Sequence, residues 1–71
     1  METKRWNLPY REGWITAERG AGVPVMALTL VNEDEQTLHT LTAYGAEYIR
    51  HLADIFTAVA NFAEGTDRPL Q

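Results

Sequence analysis

The stretch that most constrains this chain is Leu41 to Glu64, LTAYGAEYIRHLADIFTAVANFAE. Its apolar residues recur at three- and four-residue steps, which predicts one long helix. Gly65 stands at the expected C′ position and Pro69 prevents the helix from resuming. Thr42 is the expected N-cap, and Glu47 lies near the positive helix end. At about 100° per residue, Gly45, Ile49, Leu52, Ala53, Phe56, Ala60 and Ala63 share one arc, the stripe expected to face a sheet. Tyr44, Tyr48, Ile55, Val59 and Phe62 form a neighbouring arc, with His51 and Ala58 beside it. Their spacing keeps a seam turned toward a partner helix. Glu47, Arg50, Asp54, Thr57, Asn61 and Glu64 occupy only the last third of the circumference. A helix resting on one sheet and otherwise wet is polar over about half its surface, so the second stripe requires a cover.

Upstream the periodicity changes. Trp6, Leu8 and Tyr10 alternate, and Trp14 continues the parity, so residues 1–13 are expected as an extended N-terminal arm or an edge strand, with Pro9 removing a ladder donor. Trp14 to Arg19 reads as a strand, and Gly20-Ala21-Gly22 as a tight hairpin loop. Val23 to Val31 follows, with Val23, Val25, Ala27, Thr29 and Val31 on one face and Met26, Leu28 and Leu30 on the other. A strand apolar on both faces is normally covered twice, yet one helix covers one face. Asn32 to Gln36 is a polar loop, and Thr37 to Leu41 a third strand. The expected fold is therefore α+β: an antiparallel sheet of three strands, four if the arm pairs, with one long C-terminal helix packed across it. The domain spans 14–65 and the tail 66–71 is expected to be loose.

Seventy-one residues without cysteine form one small domain with a marginal core. Small folds are completed by disulfides, metals or association. With no cysteine and only His39 and His51, association is what remains. Three covers for the second helix stripe are open: the N-terminal arm with Trp6, Tyr10 and Trp14, a second copy in a twofold homodimer, or another protein. No apolar run suits a secretory signal or a membrane span, and the missing cysteines fit a cytoplasmic setting.

Net charge is −4: residues 1–19 carry four basic and three acidic side chains, residues 20–71 two basic and seven acidic. An acidic body repels a phosphate backbone. Only Lys4, Arg5 and Arg11, interleaved with Trp6 and Tyr10, offer the basic–aromatic composition that grips nucleic acid. Glu47, His51 and Asp54 share a helix side, but a metal or acid–base site needs a further ligand or a cleft, and solvated helix pairing accounts for them. The absence of serine and cysteine removes the two commonest nucleophiles. Gly20-Ala21-Gly22 leads into a strand rather than a helix N-terminus, so it is not a phosphate loop. No catalytic residue, cofactor, metal or small-molecule substrate is indicated.

The run Leu41-Thr42, followed by Ala46, Leu52-Ala53, Phe56, Ala60 and Ala63, resembles the helix of short uncharacterised proteins of actinobacteria and their phages, in which a β-hairpin or meander precedes it. That resemblance covers about half the chain and implies a small phage or host accessory protein. The expected function is a non-enzymatic protein-interaction module, a homodimer that binds a host protein. Its interface residues would be Trp6, Tyr10, Trp14, Tyr44, Tyr48, Ile55, Val59 and Phe62. The alternative, from another class, is a small DNA-binding regulator that uses Lys4, Arg5 and Arg11.

Overall fold

In the computed structural model, residues 1–66 are described. Four strands, β1 (Glu2–Asn7), β2 (Gly13–Arg19), β3 (Val25–Val31) and β4 (Thr37–Tyr44), form an antiparallel meander in the order β1-β2-β3-β4, followed by helix α1 (Ala46–Glu64). The α+β expectation holds in its four-stranded form. The N-terminal arm is an edge strand, paired with β2 from Glu2 opposite Arg19 to Asn7 opposite Trp14. Of the tail, only Thr66 lies among the described residues.

The register assigns every strand residue to one of two faces, because partners directly opposite share a face and neighbours alternate. The first face carries Trp6, Ile15, Ala17, Met26, Leu28, Leu30, Leu41 and Ala43, with Glu2, Lys4, Arg19 and His39 at its margins. The second is richer in threonine, with Thr16, Thr29, Thr40 and Thr42 around Trp14, Ala27 and Val25. The pairing shifts between Leu30 and Val31, which stand opposite His39 and Thr37, so Leu38 is an extra, bulged residue on β4.

The connections are short and built from the residues that turns require. Between β1 and β2, Pro9–Arg11 makes one turn in which Tyr10 and Arg11 both adopt left-handed backbone, φ 60° and 57°. The Leu8 amide donates to Gly13 O at 2.9 Å and closes that turn. Gly20 and Gly22 take φ 101° and 91° in the second connection. In the third, Asn32 Oδ1 accepts from the amides of Asp34 and Gln36, at 3.0 and 2.9 Å, so one side chain organises the whole acidic loop.

The helix begins later than the apolar pattern suggests. Leu41 to Tyr44 belongs to β4, so Thr42 is a strand residue and not the N-cap; Gly45 holds that position, with φ 89°, ψ 132° and no side-chain cap. The reason is tertiary: Leu28, Ala27, Met26 and Val25 of β3 pair with Leu41, Thr42, Ala43 and Tyr44 and hold them extended. Gly45 also donates from its amide to Pro24 O at 2.8 Å, and its carbonyl accepts the Ile49 amide at 3.0 Å. Strand and helix therefore meet across a single pinned residue. At the far end Gly65 is left-handed at φ 77°, and the Gly65 and Thr66 amides return to Phe62 O and Asn61 O.

Packing of the helix across the sheet extends only to its first turns. Ile49 and Leu52 are half-buried, whereas Ala53, Phe56, Ala60 and Ala63 of the expected sheet-facing stripe are exposed, and no residue of α1 is buried. An eight-residue strand spans about 27 Å and a nineteen-residue helix about 28 Å. The molecule measures 50 × 34 × 16 Å, so the helix carries on past the sheet instead of doubling back over it. The 15.2 Å radius of gyration exceeds the roughly 11 Å of a compact domain this long.

Among the described residues, the only buried hydrophobic side chain is Ala43, and no large side chain is fully buried. The accessible surface is 6310 Å², against about 4,450 Å² for a compact 8.0 kDa monomer.

Candidate functional site

The feature that stands out is surface: an apolar sheet face continuous with an apolar helix. On the sheet, Ile15, Met26 and Leu28 are half-covered, and Trp6, Leu30 and Leu41 are exposed around them. On α1, Tyr48, Ile55, Phe56, Val59 and Phe62 are all more than half exposed. Both helix stripes are therefore free beyond Leu52. Between the first turn of α1 and the sheet lies a cleft of about 540 Å³, lined by Trp6, Ala17, Val25, Ala46 and Ile49 among others.

The residues singled out from the sequence do not form one patch. Tyr48, Ile55, Val59 and Phe62 share the helix, and Trp6 lies on the apolar sheet face. Trp14 and Tyr44 lie on the opposite face. Tyr10, 90% exposed, sits in the β1–β2 turn at the sheet end remote from α1. Tyr44 is a strand residue, so the helical stripe starts at Tyr48. The arm cannot cover that stripe, because its backbone is committed to pairing with β2. Trp6 and Trp14 face opposite ways for the same reason: Trp6 pairs with Ile15, one position further along β2 than Trp14.

The basic residues are divided too. Lys4 and Arg5 are strand neighbours and point to opposite faces. Each lies over an indole: Lys4 Nζ is 5.5 Å from the Trp6 ring centroid, and the Arg5 guanidinium carbon is 4.2 Å from that of Trp14. Arg5 and Arg11 line one cleft together with Trp14 and Glu35, and Arg11 also lines another with Glu12, Glu33 and Glu35. Lys4 stands apart on the other face, so the three cations make no continuous basic stripe.

Among the described residues no group of three or more His, Cys, Asp and Glu side chains could hold a metal ion. Glu47, His51 and Asp54 are exposed along α1. No described helix is long and apolar enough to cross a membrane.

That one apolar sheet face needs a cover is expected from the two-sided strand at Val23 to Val31; the reach of α1 beyond the sheet is not. A signal for it is present. Leu41 and Ala43 continue the alternation with Thr40 and Thr42, and Gly45 is a poor helix-interior residue but a natural break.

No family model, curated protein or solved structure significantly matches the chain. Of the residues quoted for that expected helix type, Leu41-Thr42 lies on β4 and Ala46 opens α1.

Proposed function

We propose that this chain is a small non-enzymatic protein-interaction module that works as a homodimer, and that, in line with its resemblance, it is a phage or accessory protein presenting the assembled surface to a host protein. One observation carries the reading: among the described residues the apolar sheet face is only partly covered, both helix stripes are exposed beyond Leu52, and no large side chain is fully buried. A sheet or helix with an apolar face has to bury it against another element, and monomers rarely leave patches of this extent in water. The surface in excess of a compact monomer is about 1,900 Å², above the roughly 800 Å² per partner of a standard stable interface. A second copy of the same chain is the simplest cover, since most soluble oligomers are closed symmetric assemblies of one chain.

The test is light scattering on the wild-type chain and on the double variant Ile55→Glu, Phe62→Glu. Wild-type protein is expected at twice the chain mass at micromolar concentration, and the double variant as monomer or unfolded chain. A wild-type chain that is monomeric, folded and soluble sinks the dimer. Host binding is then read by capturing host proteins on immobilised wild-type dimer, with the double variant as the comparison; equal capture by both would place recognition elsewhere.

A further inference from the structure

We infer that the two copies associate by reciprocal helix exchange: α1 of each protomer lies across the apolar sheet face of its partner, against Trp6, Ile15, Met26, Leu28, Leu30 and Leu41. This rests on the homodimer reading and goes beyond it by naming which surfaces meet.

The junction supplies the first argument. Tyr44 ends β4 and Ala46 starts α1, so one residue makes the connection. Its amide is bonded to Pro24 O and its carbonyl to the Ile49 amide, at 2.8 and 3.0 Å. A helix folding back over its own sheet must reverse direction, and connections between packed elements ordinarily take several residues. Here a reversal would break the bond to Pro24 and unwind the first turn, which removes the half-burial of Ile49 and Leu52. The helix is thus held out where a neighbouring copy can use it.

The match of sizes and chemistry supplies the second. Beyond Leu52 α1 runs for about 18 Å, within the about 27 Å of β4, so a partner's sheet offers a bed long enough for the free part of the helix. The stripe Phe56, Val59, Ala60 and Ala63 brings small and large apolar side chains to a sheet face that is itself apolar from Trp6 to Leu41. A simple helix-to-helix seam through Tyr48, Ile55, Val59 and Phe62 would leave that sheet face bare. Exchange covers the sheet face and the Phe56 to Ala63 arc in one twofold contact, with Tyr48, Ile55 and Phe62 on the adjoining side of the helix, and exchanging an identical element is a low-cost route to dimers.

The chain has no cysteine, so single thiols can be introduced without background. Leu41→Cys and Phe56→Cys variants are prepared separately, co-refolded in equal amounts, treated with a short bis-maleimide and weighed intact. Exchange predicts a covalent dimer containing one chain of each kind, as the dominant cross-linked species. Like-with-like cross-linking of Phe56→Cys alone, with no mixed product, would establish a helix-to-helix seam and overturn the exchange while leaving the homodimer standing. The same holds for a sample that light scattering shows to be dimeric but that gives no mixed product. A folded monomer in light scattering removes exchange and homodimer together. Should either variant fail to fold, Leu30→Cys with Val59→Cys asks the same question at a second pair of positions.

Discussion

Two glycines show how differently the same substitution acts in this sheet. Gly13 faces the β3 backbone so closely that an added Cβ would lie 1.9 Å from Thr29 O. Backbone cannot yield as a side-chain tip can, so Gly13→Ala is expected to cost about 3 kcal/mol or more and to prevent folding in a small domain. Gly45 has φ 89°, but an added Cβ there would meet nothing within 4 Å. The cost of Gly45→Ala is backbone strain alone, about 1–3 kcal/mol at φ 89° and ψ 132°. Urea denaturation of the two variants beside the wild type measures the contrast, and equal losses would mean that the Thr29 contact relaxes. Tyr10 and Arg11 also hold positive φ, two successive non-glycine residues in a conformation that each reaches at some cost. Across the sheet end, Arg19 and Glu2 form a forked ion pair at 3.1 Å; at 73% exposure each it is worth less than about 1 kcal/mol.

At the scale of elements, β1–β4 are mutually bonded and α1 is not. A helix of this length in water is marginal without an apolar face to rest on, and only Ile49 and Leu52 have one within the chain. Amide exchange on dilute protein should therefore run fastest within α1 from Phe56 to Glu64, while β2 and β3, each paired on both sides, stay slowest. Raising the concentration into the dimeric range should slow exchange in the helix by tenfold for each 1.4 kcal/mol gained. Unchanged rates would show that the distal helix has no partner. Much of this element order could be read from the chain. The alternation expected over Val23 to Val31 is present from Val25 onward, after Val23 and Pro24 in the turn, and the polar loop at Asn32 to Gln36 and the Gly65 stop are present as expected. The strand–helix boundary could not be read, because Leu41 to Tyr44 fits both a helical arc and a strand, and pairing with β3 decides between them. The faces of Trp6 and Trp14 were hidden as well: their shared parity along the chain is broken by the Tyr10–Arg11 turn, which resets the register.

For the whole molecule, the governing fact is a 50 Å length in a 71-residue chain. A fold whose apolar surfaces are closed by a second copy has a stability tied to its concentration. The melting temperature should consequently fall by roughly 5 °C for each tenfold dilution, from the entropy of unfolding two chains of this size. Differential scanning calorimetry over two decades of concentration provides the measurement, and a midpoint independent of concentration would show that one chain suffices.

The two free edges of the sheet are unlike. β1 presents Glu2, Lys4 and Arg5, whereas the eight residues of β4, Thr37 to Tyr44, include no Asp, Glu, Lys or Arg and no proline. Charges on an edge strand deter further pairing, and an uncharged edge permits it. Each chain thus has one edge open to strand addition, on its β4 side. A pair joined through its helices carries two such edges, one per chain, and is open to further pairing at both.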